Sequence, residues 1–128
     1  RETRGATGGR RALDVREIAA DYAALVAAGQ MDQAARKYWS DDLVTREAMP
    51  GDMAETHGKA QAVAKAEGWY ANHEIHGFRS EGPFVNGDTF LILMELDVTP
   101  RGSDRMQIRE VVGYRIAEGR VVEERYYY

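Results

Sequence analysis

Residues 106–116 alternate between apolar and polar side chains, which is the pattern of a strand with one buried face. A slip of one residue would expose the whole apolar row, so the register of this strand is well specified. Glu110 falls in that row, although a glutamate is seldom fully buried without a partner. We therefore predict that Glu110 either meets a buried partner or lines a cavity. The rest of the row is Met106, Ile108, Val112, Tyr114 and Ile116.

Three segments with helical spacing precede the strands. Asp14 and Glu17 form a capping-box pattern before the first helix, which is expected to end at Gly29. Residues 31–38 predict a short second helix and residues 59–72 a third. Each segment carries apolar side chains three or four positions apart, so each is expected to pack one face against a core.

The second half of the chain is a run of strands and turns. A short strand is predicted over residues 43–49, and longer strands over residues 73–85, 89–99, 106–116 and 120–128. Helices grouped before antiparallel strands indicate the α+β class, with the helices on one face of a single sheet.

The length of 128 residues fits one domain with one core. We assign residues 14–128 to that single domain. Residues 1–13 are rich in arginine and glycine and have no apolar period, so they predict a flexible arm or a remnant of cloning.

The last turn determines which residues face Glu110. A three-residue loop with Gly119 in the left-handed conformation would place Glu110 opposite Tyr126 and Val112 opposite Glu124. This pairing matches apolar positions with one another, except at the two glutamates.

The turn near Gly87 has two interpretations. A three-residue loop over residues 85–87 brings more apolar side chains to the inner face of residues 89–99, whereas a two-residue turn at 86–87 reverses the pairing. We favour the three-residue loop. It would direct His76, Phe78 and Phe84 inward, beside Phe90, Met94 and Leu96.

The strand over residues 89–99 is apolar on both faces in its first half. Leu91 and Leu93 lie on the face opposite the core row. Since a sheet that is wet on one side would not show this pattern, we predict that a second copy covers the outer face in a homodimer. A local patch on a monomer is the alternative.

Composition removes several classes of function. The net charge of −4 and the lack of a basic stripe argue against nucleic-acid binding. No apolar run is long enough to span a bilayer. The absence of cysteine excludes disulfides and thiolate chemistry and fits a cytoplasmic location. No dinucleotide fingerprint or serine elbow is present, so an enzyme built on this chain is expected to need no cofactor.

Glu47 and Glu110 are the candidate acid–base pair. If both carboxyls line one pocket, burial and mutual repulsion raise the pKa of each, so one can act as a base while the other donates a proton. The alternative is that Arg46, Arg109 or Arg125 neutralises one or both of them in a structural ion pair.

Aromatic residues supply candidate donors and walls. Tyr22 lies on the core stripe of the first helix, where its hydroxyl either donates to a substrate oxygen or is packed and satisfied. Tyr114 and Tyr126 carry the same ambiguity. Trp69 and Trp39 would serve equally as pocket walls or as core residues.

The histidines offer a proton shuttle or a metal site. We interpret His76 as an inward, neutral side chain that could relay a proton. His73 and His76 point to opposite faces of a strand, so a metal shared with His57 would require His73 to remain on the helix end. We expect no metal.

Four segments together resemble the SnoaL-like branch of the nuclear transport factor 2-like superfamily. They are residues 21–29, 38–43, 56–59 and 114–124. The resemblance covers residues 14–128. It implies a curved antiparallel sheet wrapped around a cone-shaped cavity that three N-terminal helices close, and commonly a dimer through the outer face of the sheet.

The resemblance also implies roles for single residues. Ketosteroid isomerase shares this fold, and Tyr22 matches its oxyanion tyrosine while Glu47 matches its general-base aspartate. The position of its second oxyanion donor corresponds to Val112. SnoaL-like polyketide cyclases are similar in using an acidic residue on the sheet, and Glu110 matches that role.

These observations predict a pocket for a small, apolar, oxygen-bearing molecule. If the protein is an enzyme, we expect isomerisation, aldol-type cyclisation or hydrolysis without a cofactor. Glu110 or Glu47 would be the base, Tyr22 the oxyanion donor and His76 the shuttle. The alternative is a non-catalytic binding or dimerisation module. The expected pocket walls are Trp69, Tyr114, Tyr126, Met94, Val112 and Phe78, and in the module Trp69, Met94 and Tyr126 would fill the cavity.

Overall fold

The computed structural model describes residues 13–128, so the predicted arm lies almost entirely outside the described residues. Helices α1 (Val15–Ala27) and α2 (Met31–Tyr38) come first, and α3 (Lys59–Ala71) follows the first two strands. All three helices lie where the sequence predicts them. Asp14 and Glu17 form the reciprocal capping box at the start of α1. Gly29 ends it with a φ of 77°, a conformation that glycine adopts without penalty.

Within residues 13–128, six strands form one sheet beside these helices. They are β1 (Trp39–Arg46), β2 (Glu55–His57), β3 (His73–Asn86), β4 (Thr89–Pro100), β5 (Met106–Ala117) and β6 (Arg120–Tyr127). Their order across the open sheet is β2-β1-β6-β5-β4-β3. The α+β class is therefore confirmed.

The sheet is mixed, because β1 runs parallel to β6 while every other neighbouring pair is antiparallel. The chain enters β1 directly from α2, so no hairpin imposes an antiparallel partner on it. β1 begins at Trp39, four residues before the predicted start, and ends at Arg46. The three residues of β2 are too few to show a period, and sequence reasoning missed them.

The predicted pairing of β5 with β6 is wrong by two residues. Glu118 and Gly119 both have positive φ, which produces a two-residue turn in place of the expected three-residue loop. A register irregularity between Arg115 and Ile116 adds the second step. Because the shift is by an even number of residues, the same side chains still face inward. The pairs change: Val112 lies opposite Tyr126, and Tyr114 lies opposite Glu124.

The β3–β4 turn also has two residues, Gly87 and Asp88, and two irregularities interrupt the ladder that follows. Phe78 pairs with Leu96 and keeps its predicted inner face. Phe84 instead pairs with Leu91 and is 57% exposed, so its inward placement is wrong.

His76 lies at the second irregularity of that ladder, between Ile75 and Gly77. Its side chain is exposed and Nε2 lies 2.7 Å from the hydroxyl of Thr99. The prediction that His76 points inward is therefore wrong, because the extra residue turns it away from the inner face.

The core lies between the helices and the inner face of the sheet. It includes Tyr22 on α1, Phe90 on β4, and Val112 and Tyr114 on β5, all fully buried. Within residues 13–128, no helix is long and apolar enough to cross a membrane. The cytoplasmic location stays a prediction.

Candidate functional site

An open cavity of about 210 Å³ lies between the three helices and the inner face of the sheet. Six predicted site residues line it: Glu47, Glu110, Trp69, Phe78, Met94 and Tyr126. Trp69, Met94 and Tyr126 form walls and leave space between them. The other lining residues are Val26, Gly29, Met31, Trp39, Ala62, Lys65, Ala66, Tyr70, Leu96 and Glu124.

Four predicted site residues do not line this cavity. His76 is on the surface. Val112, Tyr22 and Tyr114 belong to the packed core behind the cavity wall. Val112 is fully buried, with Ile92 and Tyr126 as its neighbours on the adjacent strands.

Glu110 lies on β5 opposite Met94, half-buried in the cavity wall. No hydrogen bond or ion pair joins it to another residue in the described range 13–128. The pKa of Glu110 is raised from its ordinary value of 4.5 to about 7. Burial is the main cause, the charge of Glu47 adds to it, and the charge of Lys65 opposes it. Glu110 is thus an unpaired carboxyl that can change its charge near neutral pH.

Glu47 follows the end of β1 and is already paired. It forms an ion pair with Lys65 on α3. It also accepts a hydrogen bond of 2.9 Å from the hydroxyl of Tyr128. The same lysine lies 3.3 Å from the hydroxyl oxygen of Thr45 and 5.1 Å from the centroid of the Tyr126 ring.

The three arginines proposed as partners for these glutamates are engaged elsewhere. Arg46 and Arg125 pair with Glu123, and Arg109 lies 3.4 Å from Glu95. Lys65 is therefore the cation that the prediction missed. Its signal was its spacing: it lies three residues after Ala62 and four before Trp69, on the cavity-facing stripe of α3.

Glu124 is a third cavity carboxyl that sequence reasoning did not select. It is 3% exposed and lies opposite Tyr114 on β5. Burial raises the pKa of Glu124 to about 7, against the opposing charge of Lys65 and the nearby hydroxyl of Tyr126. The predicted register already placed Glu124 on the inward face, opposite Val112. An acidic residue among inward-facing apolar residues was the sequence signal that could have identified it.

Tyr22 is sealed in the core and its hydroxyl is occupied. Trp39 Nε1 donates to this hydroxyl over 2.9 Å, and the hydroxyl lies 3.6 Å from the sulfur of Met31. The ring packs against Tyr114 with centroids 4.6 Å apart. Among the described residues, the Tyr114 hydroxyl is the one buried side-chain polar atom without a hydrogen-bond partner. The hydroxyl of Tyr22 is therefore packed and satisfied within the core, which was the second of the two predicted alternatives.

Replacing Tyr22 by phenylalanine is expected to lower the free energy of unfolding by about 1–3 kcal/mol, because the buried Trp39 N–H loses its acceptor. Urea unfolding measures this change. Tyr114→Phe is the matched control and should cost nothing, since its hydroxyl has no partner. Equal stability of the Tyr22 and Tyr114 variants would contradict this role for the Tyr22 hydroxyl.

The three histidines have separate partners and do not meet. His57 Nε2 pairs with Glu55, His73 stacks on Trp69 with centroids 4.0 Å apart, and His76 bonds to Thr99. No group of three metal-ligating side chains occurs within residues 13–128.

Comparison with known proteins gives a consistent family. The model of the SnoaL-like domain matches residues 13–128. A crystal structure of a Mesorhizobium loti protein, provisionally named both a SnoaL-like polyketide cyclase and a carbohydrate phosphatase, is 43% identical to this chain with a TM-score of 0.89. The match covers 91% of this chain and 100% of that one.

Two more distant structures share the fold. A Jannaschia sp. CCS1 protein, also provisionally named a SnoaL-like polyketide cyclase, is 14% identical with a TM-score of 0.70, covering 93% of this chain and 90% of that one. A Catenulispora acidiphila protein with a ketosteroid isomerase-like fold, in complex with trimethylamine, is 17% identical with a TM-score of 0.67, covering 88% and 85%. No curated protein matches the chain. From the family match and the Mesorhizobium loti relative, we conclude that this chain belongs to the SnoaL-like domain family.

Proposed function

We propose that the cavity binds a small, largely apolar molecule bearing an oxygen atom, and that Glu110 acts on it as a general base. One observation carries this proposal: Glu110 is unpaired within residues 13–128, lines an open cavity and has a pKa of about 7. A base with a pKa near the working pH combines a useful ionised fraction with a strong drive to take a proton.

The neighbouring carboxyls have different roles in this proposal. The carboxylate oxygens of Glu47 are already engaged by Lys65 and Tyr128, so it is a poor candidate for the base. Glu124 is more deeply buried, and its raised pKa keeps it largely protonated below neutral pH. In that state it can donate a hydrogen bond to a ligand oxygen.

The reaction class follows from this set of groups. A base and a neutral acid in an apolar cavity suit proton transfer next to a carbonyl, as in isomerisation or aldol-type cyclisation, without a cofactor. The provisional name of the Mesorhizobium loti relative is compatible with cyclisation. The trimethylamine in the Catenulispora acidiphila structure shows that a related fold can hold a small organic molecule.

A reporter reaction tests the proposal without knowledge of the natural substrate. 5-Nitrobenzisoxazole loses its C3 proton to a base, its N–O bond breaks, and a coloured cyanophenolate forms. It needs no co-reactant and is small enough for the cavity. We expect turnover above the rate in buffer that saturates with the reporter. A rate equal to that in buffer would contradict the proposal.

We also propose that a second copy covers the outer face of the sheet. Two rows of neighbouring residues form an apolar patch there: Phe84, Leu91 and Gly113 in one, and Leu93, Val111 and Tyr127 in the other. Phe84 and Tyr127 are more than half exposed. Gly113 lets Leu91 and Tyr127 approach, because a Cβ there would lie 3.1 Å from Leu91 and 3.3 Å from Tyr127.

The variant Leu93→Arg is expected to convert the dimer to a monomer of 14.4 kDa. An unpaired buried arginine costs several kcal/mol, which weakens association by about a hundredfold or more. Light scattering coupled to size exclusion measures the mass. Gln107→Arg adds the same charge to the outer face, away from the patch, and should remain dimeric. A monomeric wild-type protein would contradict this proposal.

A further inference from the structure

Proton removal next to a carbonyl leaves a negative charge on the ligand's oxygen, and that charge needs a donor. Tyr22 was predicted to supply it, but its hydroxyl is enclosed in the core between Trp39 and Met31. The donor must therefore come from the side chains that line the cavity.

Lys65 is the one lysine or arginine among the cavity-lining residues. Its side chain is 16% exposed, and α3 directs it between the ends of β1 and β6. The Lys65 ammonium forms an ion pair with Glu47 and donates a hydrogen bond to the hydroxyl oxygen of Thr45. An ammonium group has three N–H donors, and within residues 13–128 the third has no oxygen or nitrogen acceptor. The nitrogen lies over the Tyr126 ring, 5.1 Å from its centroid.

The acids around Lys65 come from three strands or their ends: Glu47 after β1, Glu110 on β5 and Glu124 on β6. The charge of Lys65 acts on both Glu110 and Glu124, since it opposes the rise in the pKa of each. A cation that acts on the base also acts on a ligand held against that base. In a site shielded from water, such a fixed charge stabilises an oxyanion strongly.

We propose that Lys65 stabilises the oxyanion that forms on the ligand when Glu110 removes a proton. In this step a C–H bond of the ligand breaks, an O–H bond forms on Glu110, and the electron pair moves to the ligand oxygen beside the Lys65 ammonium. Return of the proton from Glu110 to another carbon completes an isomerisation. The inference rests on the proposed function and specifies a ligand with a carbonyl or similar oxygen acceptor.

Binding of 4-nitrophenol tests this role without turnover, because the phenolate is coloured and the phenol is not. In the wild-type protein we expect the bound phenol to ionise at lower pH than in Lys65→Met, since the ammonium favours the phenolate. Lys65→Arg keeps the charge and should retain most of the effect. Lys59→Met, on the same helix but outside the cavity lining, is the matched control.

The reporter reaction provides a second readout. We expect Lys65→Met to slow it about 10²-fold, the lower end of the loss from removing an oxyanion donor. The loss should be larger for unsubstituted benzisoxazole, whose leaving oxygen carries more charge. The pH midpoint should also rise above that of the wild type, because Lys65 lowers the pKa of Glu110. The double variant Lys65→Met/Glu47→Gln repeats the test without leaving Glu47 unpaired.

The outcomes separate this inference from the proposed function. Equal ionisation of bound 4-nitrophenol in the wild type, in Lys65→Met and in Lys65→Met/Glu47→Gln would overturn the role of Lys65. So would unchanged rates and midpoints in those variants while Glu110→Gln is inactive, an outcome that leaves the proposed function standing. Failure of the wild type to bind 4-nitrophenol or to accelerate the reporter reaction would overturn both.

Discussion

Glu110→Gln is expected to slow proton transfer from 5-nitrobenzisoxazole by about 10²–10⁴-fold, the usual contribution of a positioned general base. Glutamine keeps the size and polarity of the side chain but cannot accept a proton at neutral pH. Glu110 has no ion pair within residues 13–128 to lose, so the fold should be maintained and the melting temperature should not fall. Initial rates from the phenolate absorbance measure the effect.

The control for this prediction is Glu81→Gln, which removes a carboxylate from the exposed surface of β3. It should leave the rate unchanged. The wild-type rate should rise as the pH approaches a midpoint of about 7, because only the ionised form of Glu110 is a base. If the Glu110→Gln variant retains the wild-type rate, Glu110 is not the general base. The base would then be Glu47 or Glu124, or the cavity would contain no general base.

The free energy of unfolding is expected to be higher at pH 5 than at pH 8, by about 3 kcal/mol for a single fully shifted carboxyl. The pKa values of Glu110 and Glu124 rise from 4.5 to about 7 on folding. The unfolded chain therefore releases these protons first, and stability falls as the pH rises from 4.5 to about 7. Urea titrations across this range measure the difference.

Other acids do not oppose this trend in the same window. The pKa values of Asp21, Glu95 and Asp97 are lowered by their cationic partners. Their stabilising contribution is lost only as the pH falls below the usual range of a carboxyl. Glu124→Gln should flatten the pH dependence and stabilise the protein at pH 8. An unchanged slope in that variant would show that Glu124 is not buried as an acid.

The sequence was most informative where one charged residue interrupted a regular alternation of apolar and polar residues. The apolar row of residues 106–116 located the inner face of β5, and a single charge in that row identified Glu110. The helix boundaries followed from the Asp14 cap and Gly29, because caps are local and depend on few residues. These features did not depend on which strands become neighbours.

The site was less predictable where it depended on distant contacts. Lys65 was missed because one lysine on an amphipathic helix resembles an exposed residue until the cavity opposite it is known. The family resemblance predicts that Tyr22 reaches the cavity. Its position on the apolar face of α1 does not show whether the hydroxyl contacts a ligand or accepts a hydrogen bond from Trp39. Glu124 lies on the inward row in the predicted register as well, but register alone does not show that its carboxyl reaches the cavity.

We propose that Glu110 is a cavity carboxyl available as a base near neutral pH, and its own titration tests this proposal directly. The carboxyl ¹³C resonance of Glu110, assigned by comparison with Glu110→Gln, can be followed from pH 3 to pH 9. We expect a midpoint of about 7, caused by burial and by the charge of Glu47. A midpoint at the ordinary value of 4.5 would contradict the account, because a carboxyl of that kind is either solvated or neutralised by a partner.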